Sequence, residues 1–187
     1  MEIKIIGPDD KRLKEKSIPI TDFNEDYKTI IERMKTVCLE HNAYACAAPQ
    51  LGILKRFILI MTKKEMKTLD MDCVDIDVTP YFNPVITKMN GSQMFWEACM
   101  SVPKTIGKVR RPYSIEIEAQ DIDGKPIKKR MEDFEAIIFC HEIDHLDGIE
   151  FTDRAFKISY DITKEERMEF RKCHPHEILD KTEPFEY

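Results

Sequence analysis

Two histidines four residues apart, His141 and His145, bracket the segment HEIDH, and Glu142 follows the first of them. On a helix, residues four apart share a face, so the two imidazoles can grip one metal ion. Glu142 can then reach a water on that ion and act as a general base. The apolar neighbours Ile137, Ile138, Phe139 and Leu146 indicate that this face is buried, where an unpaired histidine pair would be hard to satisfy. A catalytic metal site needs three protein ligands and an open position. Glu150, Glu165, Glu166, Glu169, His174 and His176 are downstream candidates for the third ligand, although both histidines read more simply as part of a solvated turn. An HExxHxxGxxH continuation is absent, because Phe151 stands where its third histidine would fall. Upstream, Cys99 in WEACMSVP is the better candidate. Cys140 neighbours His141 and points about 100° around the helix, away from the shared ion, so it reads as core.

These residues need a scaffold. Asp22 with Glu25 has the form of a capping box, and Ile30, Met34, Val37, Cys38 and His41 recur at helical spacing, predicting a helix over 24–41. RFILIM at 56–61 reads as a buried strand, and 62–80 as a polar loop or insertion. Residues 81–103 read as short strands turning at Asn83-Pro84 and Asn90-Gly91. Ile115, Ile117 and Ala119 alternate with polar residues as in a half-buried strand. Asp123-Gly124 then predicts a hairpin, with IKKRMEDF returning. A helix of about 14 residues follows, carrying HEIDH and stopping at Gly148. Thr163 with Glu166 opens a last short helix that ends near His174-Pro175. The expected fold class is α+β: one domain over 1–187, with short mixed or antiparallel sheets around a central helix carrying HEIDH, an N-terminal helix and a C-terminal helix.

A chain of 187 residues suits one domain, and 42% hydrophobic with 34% charged residues is ordinary for a globular protein. The net charge of −6 argues against binding driven by nucleic-acid phosphates. No apolar run reaches the roughly 18 residues of a membrane span, and the first residues lack a secretory signal. The six cysteines show no CxxC pair, which points to reduced thiols. The expected location is cytoplasmic, or an organellar matrix if a presequence has been removed.

Three segments together resemble the peptide deformylase family. AYACAAPQLG at 43–52 is similar to GxGxAAxQ, EACMS at 97–101 to EGCLS, and HEIDH to HExDH, extended by LDGIEFTDR. The resemblance spans about positions 5–154 and leaves 155–187 as the least family-like stretch. It implies a metal-dependent hydrolase that removes the formyl group from the N-terminal methionine of nascent polypeptides and releases formate. Cys99, His141 and His145 would hold one divalent ion, with water in the fourth position. The ion would be Fe²⁺, with Zn²⁺, Ni²⁺ or Co²⁺ as substitutes. Glu142 would be the base, and the Gln50 amide and the Met100 backbone N–H would stabilise the oxyanion. The substrate contacts implied are Ala43, Tyr44, Ala45, Cys46, Glu97, Ala98 and Ile138. The partner is a formyl-methionyl peptide, with transient ribosome contact as a further expectation, no specific nucleic acid, no membrane, and a monomeric state. The tail carries more acids than bases, which disfavours ribosomal RNA contact through it.

The chain also departs from the family pattern. Ala43 and Ala45 replace the GxG glycines, Ala98 replaces the glycine of EGC, and Lys104 follows Pro103 where glycine is usual. Either these positions have ordinary backbone angles, or the substrate cleft is reshaped. Glu97 is also a candidate anchor for Arg110 or Arg111, and Asp144 for Arg110 or Arg154. Two other functions compete: an HExxH metallopeptidase with a downstream ligand, and a deformylase-like protein that binds peptide N-termini without turnover.

Overall fold

The computed structural model describes residues 4–63 and 76–187 of the chain. Ile31, Met34, Val37 and Cys38 share the buried face of α1 (Tyr27–His41). The helix begins later than expected. Asp26 caps it by accepting the Thr29 N–H. Asp22 instead accepts the Asn24 N–H in a local turn upstream. Its carboxylate is occupied two residues on, too early to reach the helix.

A tight turn (Ala48–Leu51) separates β1 (Ala45–Ala47) from β2 (Phe57–Lys63), and the two strands pair antiparallel. Along β2 the side chains alternate between two cores. Phe57, Leu59 and Met61 join the α1-side cluster, whereas Ile58 and Ile60 join a cluster with α2 (Asp133–Leu146), the helix carrying HEIDH. β1 repeats this parity: Cys46 faces α1, while Ala45 and Ala47 face α2. The predicted sheet around a central helix is thus observed, with α1 covering the opposite face.

The main departure from expectation is β3 (Ile76–Glu97), one strand of 22 residues where several short ones were expected. Residues 76–80, read as loop, already pair with β2; the rest of that loop, 64–75, lies outside the described residues. Asn83 (φ 49) and Gly91 (φ 66) do not reverse the chain. They sit beside register shifts in β3, so they bend the strand as bulges do. Gly91 is needed there: an added Cβ would lie 2.6 Å from the Asp180 carbonyl oxygen.

β3 pairs successively with β2, with β5 (Ser114–Gln120), with β8 (Glu177–Pro184) and with β4 (Ile106–Arg111), always antiparallel. β5 and β6 (Pro126–Glu132) form the predicted hairpin around Gly124 (φ 78). After α2, Gly148 (φ 73) turns the chain against the Lys14 backbone, where a Cβ would come within 2.5 Å of its carbonyl oxygen. Next come α3 (Phe151–Arg154), β7 (Lys157–Ser159), which pairs with β4, and α4 (Lys164–Cys173), capped by Thr163 as expected. The tail is therefore not appended. β7 and β8 are both built into the sheet. No helix among the described residues is long and apolar enough to cross a membrane.

Candidate metal centre

His141 and His145 lie one turn apart on α2, with ring centroids 5.0 Å apart. Cys99, just beyond the end of β3, closes the set, and the potential ligand atoms of Cys99, His141 and His145 lie within 4.8 Å of one another. The Cys99 Sγ is 3.2 Å from His145 Nε2. Among the described residues, none of the downstream candidates joins this group. Glu150 is buried and pairs with Lys14. His174 stacks on Phe170 in an exposed bend, as a solvated turn would have it, whereas His176 is half-buried and bonds to Gln93 and Asp133 against β3.

The nitrogen that each histidine offers follows from its other contacts. His141 Nδ1 is 2.7 Å from Glu97 Oε2, so its proton sits there and Nε2 is left for the ion. His145 presents Nε2 toward Cys99, and its buried Nδ1 has no partner among the described residues. Burial drives the His145 pKa down, assisted by the His141 charge, which favours the neutral ligand form. Burial also opposes protonation of His141, but Cys99 and Glu97 outweigh it and raise that pKa.

Glu97 was expected among the substrate contacts; its surroundings correct this. Its carboxylate is 3% exposed, and the Arg111 fork donates to both oxygens at 2.7 and 2.9 Å. Burial would raise its pKa, but Arg111 and His141 hold it at about 2. Glu97 is the anchor that orients His141. Asp144 holds the same guanidinium, accepting from Arg111 Nη1 at 2.5 Å and from Arg154 Nε at 2.7 Å. Arg110 joins neither carboxylate and lies over the Phe185 ring.

Glu142 is 5% exposed, and its Oε2 has no partner among the described residues. Burial raises its pKa to about 7, against the lowering influence of His141. Gln50 is 1% exposed rather than an open loop residue. Its Oε1 accepts the Ala47 N–H at 2.9 Å, which turns Nε2 toward Cys99 Sγ at 3.2 Å. Met100 is half-buried directly after Cys99.

The donor set fits a divalent ion. It comprises one cysteine sulfur and two imidazoles on a shared locus, with a carboxylate oxygen beside His141 that has no partner among the described residues. Cys140 is excluded from the set, as expected; it is fully buried in the α2-side core, and burial pushes its thiol up to about 12.

The remaining expected substrate contacts divide. Cys46 faces the α1-side core and is fully buried, so its side chain cannot line the cleft. Ala43 packs against the same cluster. Ala45 turns its methyl into the α2-side core, and none of Ala43, Ala45 and Ala98 takes a positive φ. Of the two alternatives, ordinary backbone angles are what the alanines show, so none of them replaces a glycine needed for a positive φ. Lys104 is the exception, at φ 57. Ile138 is half-buried on the α2 face that carries Glu142, one turn earlier. Another turn earlier, Phe134 meets Tyr44 and Phe95 edge-on, with centroids 5.8 and 5.3 Å away.

Sequence reasoning missed the far wall of this aromatic cluster. Arg171 on α4 lies over the Phe95 ring and donates from Nε to the Trp96 carbonyl at 2.9 Å. Its only signal was the amphipathicity of α4, which says nothing of what α4 covers.

A family model for polypeptide deformylase matches residues 3–160. Peptide deformylase 2 of Clostridium acetobutylicum is 38% identical over 146 residues, which cover 78% of this chain and 89% of that relative. Among solved structures, a probable peptide deformylase from Synechococcus phage S-SSM7 superposes with a TM-score of 0.73 at 33% identity, covering 82% of this chain and 99% of that one. A Met-Ala-Ser-bound class I type b peptide deformylase from Acinetobacter baumannii superposes with a TM-score of 0.71 at 26% identity, covering 82% and 98%.

Proposed function

The chain belongs to the polypeptide deformylase family, and from that membership we propose how its residues divide the work. The reaction is hydrolysis of the formyl amide on an N-terminal methionine, releasing formate. Cys99, His141 and His145 hold one divalent ion. When bound, the ion acts as a Lewis acid, lowering the pKa of water toward about 7 and drawing charge from a carbonyl oxygen.

The rest is done by the chain itself. Glu142, with a pKa near neutrality, takes a proton from the attacking water and passes it to the departing amine, so it ends as it began. The Gln50 Nε2 amide and the Met100 backbone N–H donate to the oxygen on which negative charge develops; losing one such donor typically costs about 3–4 kcal/mol. The peptide aligns along β1. The Met61 N–H donates to the Tyr44 carbonyl, so Tyr44 and Cys46 turn their backbone groups toward β2, and those of Ala45 face the other edge. An extended peptide can pair there as an added strand. The methionine side chain then runs over Ile138 toward Tyr44, Phe95 and Phe134.

Fe²⁺ is the proposed native ion; the Cys/His/His set equally accepts Zn²⁺, Ni²⁺ or Co²⁺. The further proposals are a reducing, cytoplasmic setting, to which the free thiols among the described residues are suited, a monomeric state, and brief encounters with the ribosome.

The observation that carries this reading is the meeting of Cys99 with both histidines beside Glu142. It also disfavours a metallopeptidase with a downstream ligand. Measuring metal content in Cys99→Ala separates the two: the deformylase reading expects the bound metal to be lost. Retention of a full equivalent would return the peptidase reading.

A further inference from the structure

Arg111 is fully buried, and the same guanidinium serves two carboxylates and a phenol. Nε and Nη2 donate to Glu97, while Nη1 donates to Asp144 at 2.5 Å and to the Tyr187 hydroxyl at 3.2 Å. Tyr187 lies beyond the residues that the family model matches. It keeps 55% of its surface exposed, yet its hydroxyl reaches the buried Arg111 guanidinium. Arg154, the second partner of Asp144, lies over the Tyr187 ring at 3.7 Å.

The tail is steered to this point by its own contacts. β8 pairs with β3 across the Gly91 bend, the Phe185 N–H donates to the Met89 carbonyl at 3.2 Å, and Phe185 is 5% exposed beneath Arg110. Docking of the tail thus has anchors independent of the hydroxyl. The hydroxyl itself gives an N–H of a buried cation its acceptor.

We infer that Tyr187 is a positioning residue for the metal centre: its hydroxyl holds the Arg111 fork in register with Glu97, and Glu97 in turn fixes the ring of His141. The chain of contacts is continuous, from Tyr187 Oη through Arg111 to Glu97 and on to His141 Nδ1 at 2.7 Å. Without the hydroxyl, Nη1 keeps only Asp144, and the guanidinium shifts toward that carboxylate and away from Glu97. Groups that orient metal ligands from behind typically govern affinity by 10–100-fold. One contact further out, the low end of that range is expected. The inference rests on the metal-centre reading above.

Tyr187→Phe in the full chain tests it, because the ring over Arg154 stays and only the hydroxyl goes. The protein is loaded with Co²⁺, and loss of the thiolate-to-cobalt absorption is followed after adding EDTA. The expected result is Co²⁺ loss accelerated roughly tenfold. The melting temperature of the metal-free protein should move by less than about 4 °C. With Co²⁺ saturating, kcat should fall and KM stay. Co²⁺ loss at the unaltered rate overturns the inference whatever the activity. A lowered melting temperature with unchanged Co²⁺ loss overturns it too, marking a structural brace. Should the unaltered protein take up no Co²⁺, the metal reading falls and this inference with it.

Discussion

At position 142, catalysis and stability make opposite demands. A carboxylate buried without a full set of partners is a good base because the fold disfavours its charge. Its pKa rises from 4.5 to about 7, so in the metal-free protein its contribution to stability is fully present below pH 4.5 and is lost as pH rises through 7. Glu142→Gln removes that penalty. Metal-free Glu142→Gln should be more stable than the unaltered protein at pH 8 by on the order of 3 kcal/mol, with the gap closing at pH 4. Denaturant titrations at the two pH values check this; equal gaps would mean that Glu142 is not strained by burial. Glu97 behaves oppositely. Held at about 2, it contributes stability above pH 4.5 and loses it as pH falls through 2. The contrast comes from Arg111, whose fork grips Glu97 and, among the described residues, does not reach Glu142.

At the scale of elements, signals that act locally were legible and pairings were not. The HEIDH helix, the Gly124 hairpin, the stop at Gly148 and the Thr163 cap all rest on neighbours in sequence, and all are observed. Asn83 and Gly91 were misread as turns because a turn and a bulge require the same residues; only the partner strand decides between them. β8 was missed because EILDKTEP shows no clean alternation, and its burial pattern is exposed almost throughout. The metal ligands were legible from spacing together with the family resemblance. The choice of arginine was not, because Arg110 and Arg111 differ only in which face of β4 they occupy, and that follows from register against β3. Lys104 carries an element-scale prediction. A lysine at φ 57 costs roughly 1–2 kcal/mol, part of which glycine would return as unfolded-chain entropy. Lys104→Gly should therefore stabilise the protein by about 0.5–1 kcal/mol with unchanged kcat/KM. Thermal melting checks it; a destabilised variant would show that the lysine side chain holds the loop.

Across the whole molecule, α2 serves two purposes at once. One face closes the core over β1 and β2, and the other presents the histidines, Glu142, Ile138 and Phe134. The sheet brings Cys99 to this helix from β3 and brings Gln50 from the turn after β1. The tail returns through β8 to brace the same network from behind. The central claim is that this assembly is a working deformylase with Glu142 as its base. Its most direct test is formate release from a formyl-Met tripeptide by Fe²⁺-loaded protein prepared without oxygen, beside Glu142→Ala, with metal content measured in both. The account predicts equal metal content and a rate in the variant lower by about 10²–10⁴-fold. A variant that turns over at the unaltered rate, or an unaltered protein that is fully loaded and releases no formate, would contradict it.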